Sequence, residues 1–163
     1  MRLYHYTANT PCHLGSILET GEIRTTESNI SFHANHVGPD VVWLTDLHDP
    51  RDAVRGGLYP LKTTARITVE VADAIPWRQF AMEHGMSRDD RRRLDRAGGG
   101  QGAHWFVVPW PVRGDEWLEV ATADELGLRY RTIPFIPVAM FGGIVPAMIA
   151  ANLRERLLEE ERA

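Results

Sequence analysis

Thr64-Ala65-Arg66-Ile67-Thr68-Val69-Glu70-Val71 alternates without a break, with Ile67, Val69 and Val71 on one side and Arg66, Thr68 and Glu70 on the other. Successive side chains of an extended strand point to opposite faces, so this is the pattern of a half-buried strand. Upstream, Val41-Val42-Trp43-Leu44-Thr45 is apolar almost throughout, which predicts a strand in the interior of a sheet. Arg2 to Tyr6, Trp105 to Val108, Glu116 to Ala121 and Ile133 to Phe141 read as further strands. Helical signals fall between them. Thr10 and Pro11 suit a helix start, Leu14, Ile17 and Leu18 follow at helical spacing, and Gly21 stands where the helix stops.

Glu22 to Thr25 reads as a short extended piece, and Glu27 to Asp40 as a polar loop. Asp46 to Lys62 holds Pro50, Gly56, Gly57 and Pro60 and predicts a long surface excursion. Pro76 to His84 predicts a short helix. Ser87, followed by Asp89 and Asp90, opens another that closes at Gly98-Gly99-Gly100. Met148 to Arg162 predicts a charged terminal helix. No internal repeat or low-complexity linker divides the chain, so residues 1–163 read as one domain. The irregular order of strands and helices favours α+β over a doubly wound sheet.

A chain of 163 residues can bury a core without covalent staples, and 44% hydrophobic with 25% charged residues is a globular mixture. The formal net charge of -4 supplies no overall field for a phosphate backbone. The single cysteine, Cys12, forms no internal disulfide. Residues 1–5 lack the apolar region of a secretion signal, which predicts a cytoplasmic protein. Thr132 to Leu153 is uncharged, but Pro134, Pro137, Gly142, Gly143 and Pro146 interrupt it, where a membrane span needs ~20 apolar residues with intact backbone pairing. No membrane segment is expected.

Three constellations carry chemistry. Tyr4-His5-Tyr6-Thr7 ends the first strand with an imidazole and a hydroxyl available to one ligand. Trp43 and Thr45 lie on the apolar strand. Asp115, Glu116 and Glu119 crowd carboxylates around Trp117, and regular alternation would send Glu116 and Glu119 to opposite faces. His33 and His36 have metal-like spacing, but no cysteine joins them, and no metal site is expected. Arg91, Arg92, Arg93 and Arg96 form the best basic patch should a target be nucleic acid. Arg51 and Arg55, in the excursion, are further residues that a target would meet.

A strand ending near His5, then Leu14, Ile17, Leu18, Gly21 and Ile23, then Val41 to Thr45, resembles the opening of the ADP-ribosyltransferase superfamily. It is most similar to the His-type branch, which includes diphtheria-toxin-like enzymes, poly(ADP-ribose) polymerases, rifamycin- and DNA-modifying transferases and tRNA 2′-phosphotransferases. The resemblance implies split, mostly antiparallel sheets with peripheral helices, and NAD as a substrate. It implies that His5 holds the ribose, that the Tyr6 backbone pairs with the nicotinamide amide and that Thr7 supports the loop. His5-Tyr6-Thr7 departs from the commoner His-Gly-Thr. Trp43 and Thr45 would line the nicotinamide pocket, Arg24 and Arg66 would meet the pyrophosphate, and Glu116, preferred to Glu119, would be the catalytic carboxylate. A fixed carboxylate stabilises the positive sugar that forms when the nicotinamide bond breaks. The acceptor is a protein, a nucleic acid or a small molecule. Two alternatives stand beside this reading: a 2′-phosphotransferase-like enzyme acting on RNA, and a binding module on the same fold without catalysis.

Overall fold

A computed structural model describes residues 1–26, 39–58, 60–97, 99–123 and 129–133. The fold is α+β, and every strand pairing among the described residues is antiparallel. The main sheet holds β1 (Arg2–Thr7), β3 (Val42–Thr45), β4 (Ala65–Glu70), β5 (Ile75–Pro76), β6 (Trp105–Val108), β8 (Trp117–Ala123) and β9 (Tyr130–Ile133), in the order β5-β6-β3-β1-β4-β8-β9. β2 (Glu22–Ile23) and β7 (Val112–Arg113) make a separate two-stranded sheet.

Helices cover both faces. After β1 the chain makes one π-helical turn, Pro11–Gly15, and continues as α1, Ser16–Thr20. Thr10 does not cap this turn, because its hydroxyl is engaged with the His13 ring at 2.8 Å. Gly21 ends α1 with φ 67°, a left-handed conformation that glycine adopts without a Cβ clash. The excursion between β3 and β4 is more ordered than its glycines and prolines predict. Asp49 accepts the Arg51 N–H at 2.8 Å and Pro50 takes the first helical position, which starts α2, Pro50–Arg55. α3 (Trp77–Glu83) and α4 (Arg88–Ala97) follow β5, and the Ser87 hydroxyl accepts the Asp90 N–H at 3.1 Å at the start of α4.

Two cores follow from the alternation. Leu3, Ile67, Val69 and Val120 join Leu14, Leu18 and Ile23 on one face of the sheet. On the other face, over β3 and β6, Val107 and Trp105 pack with Trp77, Phe80 and Leu94. β4 corrects a sequence expectation. It is not half-buried, because Arg66 and Thr68 on its polar face are both only 5% exposed. The excursion reaches back over that face, where Arg66 donates to the His48 carbonyl.

Β8 corrects another. It begins at Trp117, and Glu116 ends a 3-10 turn, Gly114–Glu116. The register shifts between Thr68 and Val69, so that Val69 faces Trp117 and Thr68 faces Glu119. Leu118 is the additional residue of this bulge. It sends Trp117 to the apolar face and Glu119 to the polar one, although the two are only two positions apart. His33, His36, most of the uncharged 132–153 stretch, the predicted strand over 133–141 except Ile133, and the terminal helix lie outside the described residues. Among the described residues no helix is long and apolar enough to cross a membrane.

Phe80 is fully buried and Leu118 is 44% exposed. Phe80→Ala is therefore expected to destabilise the protein by about 3–5 kcal/mol, and Leu118→Ala to shift stability by less than about 0.5 kcal/mol. Urea unfolding of the two variants checks the contrast.

Candidate functional site

Β1 is paired unequally on its two sides. Six residue pairs join it to β4, whereas the register with β3 is the single pair Tyr4–Thr45. Met1 and Val71 exchange backbone hydrogen bonds, Met1 N to Val71 O at 2.7 Å and Val71 N to Met1 O at 3.0 Å. The bonded pairs of an antiparallel ladder recur every second residue. Leu3, His5 and Thr7 therefore direct their backbone groups toward β4, and Tyr4 and Tyr6 direct theirs toward β3. The β1–β3 register does not extend to Tyr6. The mouth of the ladder, where this pairing ends, lies there.

His5 stands at this mouth. Its Nδ1 lies 3.0 Å from the Trp43 carbonyl oxygen. A carbonyl only accepts, so Nδ1 carries the proton and donates, which leaves Nε2 with a lone pair. Burial lowers the His5 pKa, the bond to Trp43 opposes this, and the charge of Lys62 lowers it further. The neutral ring is the form that fits.

The other residues named from the sequence are distributed as follows. Thr7 is buried on the same face as His5. Tyr6 projects to the opposite face, where its hydroxyl donates to the Leu47 and His48 carbonyls at 2.9 and 2.7 Å. Its bulk is thus directed away from His5. The Trp43 ring packs on Trp77 at 5.0 Å and on Trp105 at 6.3 Å, so its aromatic surface belongs to the core and its backbone to the mouth. Thr45 is fully buried and accepts the Leu47 N–H at 3.2 Å. Arg24 is exposed and pairs with Glu22 at 3.4 Å. Glu116 accepts the Arg113 N–H at 2.9 Å, closing its own turn.

Strand geometry separates the two residues expected to act together. Glu116 precedes Trp117, which aligns through Val69 with Leu3. Two strand spacings across and three residues along place the His5 and Glu116 backbones roughly 14 Å apart. Glu119 is nearer in register, since Thr68 links it to Tyr4, but it lies on the face opposite His5.

That opposite face carries a cluster which the sequence did not single out as a unit. The Arg66 side chain is 6% exposed and pairs with Glu119 Oε2 at 3.3 Å. It also donates to the His48 carbonyl at 3.1 Å and lies over the rings of Tyr4 and Tyr130, at 5.4 and 4.7 Å from their centroids. Thr132 and Thr68 donate to the two Glu119 oxygens at 2.7 and 3.3 Å. The Thr132 bond lowers the Glu119 pKa most, burial opposes it, and the Arg66 charge adds to the lowering. Burial raises the Tyr130 phenol to about 12, against the pull of Arg66. The one signal in the sequence was an arginine between Ala65 and Ile67. The bulge that delivers Glu119 to it leaves no mark in composition.

Fold and geometry thus define an antiparallel α+β domain with a histidine-lined strand mouth on one face and a buried arginine–carboxylate cluster on the other. No protein-family model matches the chain, and no curated protein matches it. No group of three or more histidine, cysteine or acidic side chains suited to a metal occurs among the described residues.

Breaking a buried pair from one side strands a charge, so Arg66→Ala is expected to cost about 3 kcal/mol, the low end of such losses because Glu119 is partly exposed. Arg66→Met combined with Glu119→Leu removes both charges and should recover most of that loss in urea titrations. A second outcome concerns pH. A histidine whose folded pKa is depressed binds fewer protons folded than unfolded, so its contribution is complete above the unfolded value of 6.5 and is lost as pH falls toward the folded one. His48 is also lowered, by burial and by Arg66, and acts in the same direction. Stability is expected to fall between pH 7 and pH 5, and His5→Gln to reduce that slope, leaving the His48 part.

Proposed function

We propose that the chain is an NAD-dependent ADP-ribosyltransferase, with the nicotinamide end of the dinucleotide at the mouth between β1 and β3. The observation that carries this reading is the register that stops after Tyr4–Thr45, with the His5 ring against the Trp43 carbonyl. A flat amide needs one donor and one acceptor side by side, which the β3-facing backbone of Tyr6 supplies by the parity of the ladder. The Nε2 lone pair of His5 accepts a ribose hydroxyl. The direction of the Tyr6 side chain, away from His5, supports the fit despite its size.

The chemistry asks for a carboxylate beside the anomeric carbon, where positive charge develops. Glu116 fills this role only by leaving its bond to the Arg113 N–H. Acceptor binding is the step at which that exchange would occur. A second reading draws on the same fact: with Glu116 closing a turn and Glu119 on the far face, the domain binds NAD and does not turn it over.

Calorimetry with NAD, followed by release of nicotinamide in the presence of cell extract, separates the readings. Binding is expected for the wild type and for Tyr6→Phe, with at least a tenfold loss in His5→Ala. Nicotinamide release abolished by Glu116→Gln supports transfer. Binding with no release in any extract selects the second reading, and no binding by the wild type removes both.

A further inference from the structure

Α4 carries five arginines and three aspartates on ten residues, a surplus of two positive charges in a chain whose net charge is -4. Arg88, Arg92 and Arg96 recur every fourth residue, and all three are exposed. Four residues advance a helix by ~6 Å, so these guanidinium groups form one evenly spaced ridge. Leu94 anchors the helix in the core from another side.

The aspartates are largely engaged elsewhere. Asp95 pairs with Arg78 at 2.9 Å, and Asp90 lies 3.9 Å from Arg93. Asp89 and Asp95 flank the ridge, and with Arg92 and Arg96 they line a shallow hollow. Among the described residues, Arg88, Arg92 and Arg96 have no ion-pair partner. Arg96 spends only its Nε, on the Arg92 carbonyl at 3.3 Å.

Helix stability does not account for this arrangement. Like charges four residues apart repel, and Arg88–Arg92 and Arg92–Arg96 are two such pairs. Arg88 also stands at the first position of α4, where the helix dipole disfavours a cation. A surface that only needs to be solvated gains nothing from stacking arginines in register. An array of evenly spaced anions does, because each guanidinium can pair with a phosphate bidentately.

We propose that the Arg88–Arg92–Arg96 ridge is a docking surface for the phosphate backbone of nucleic acid, read without sequence preference. The surface is independent of how NAD is used at the mouth. An acidic protein surface, including that of a second copy, is the competing occupant. Carboxylates on a protein recur evenly only where its sequence places them, whereas backbone phosphates repeat evenly in any sequence.

Fluorescence anisotropy with labelled single-stranded DNA, the same sequence as RNA, and duplex DNA tests this over a salt series with the whole chain. Three phosphate contacts predict a slope of log K against log salt of about -2 to -3. The triple variant Arg88→Gln, Arg92→Gln, Arg96→Gln should abolish that slope with an unchanged circular dichroism melt, and the corresponding lysine triple should retain it. Arg51→Gln with Arg55→Gln removes two charges that Asp49 and Asp52 already balance, and should leave the slope as it is. Equal losses in this control, no salt-dependent binding of any of the three probes, or self-association that disappears in the triple variant would each overturn the proposal.

Discussion

A guanidinium is buried on the polar face of β4, and much of the structure is arranged around it, although its Nε has no hydrogen-bond partner among the described residues. Burying the Arg66 guanidinium obliges the fold to bring it partners. β8 supplies Glu119, the excursion after β3 supplies the His48 carbonyl, and Tyr4 and Tyr130 supply aromatic faces. Tyr6 donates to the same stretch of the excursion from β1. One side chain thereby links four strands to a segment that composition alone describes as loop.

The two faces of the sheet acquire different chemistry from this arrangement. Charge and hydroxyl groups collect around Arg66, where Thr68 and Thr132 complete the coordination of Glu119. On the other face, which also carries Leu3, Ile67 and Val69, His5 is tethered through one nitrogen. The register between β1 and β3 ends beside it. The charged cluster and His5 thus lie on opposite faces of one sheet, although Tyr4, which packs on Arg66, and His5 are neighbours along β1.

Much of the architecture was legible in the chain. The strand over Ala65–Glu70 follows from its alternation, the stop at Gly21 from glycine's tolerance of positive φ, and α4 from Ser87 and the aspartates that follow it. These are local rules, acting within one turn or one strand. The placing of His5 on β1 was also legible, because a short aromatic strand is visible in sequence. The bulge at Leu118 was not, since it depends on how β8 meets β4 and not on β8 itself. Regular alternation therefore placed Trp117 and Glu119 on one face, where the bulge sets them on opposite ones, and the carboxylate favoured from sequence closes a turn.

What the amino-acid sequence determined by itself is the kind of several main elements, β1, β3, β4, β6, α3 and α4 among them, and, for β1 and β4, which residues share a face, because side-chain period and turn chemistry are properties of neighbours in the chain. Tertiary structure alone decided which face Glu119 reaches, that Arg66 is buried, and that the β1–β3 register ends at Tyr4–Thr45. Each of these depends on register between segments tens of residues apart, and a register shift of one residue exchanges the two faces of a strand.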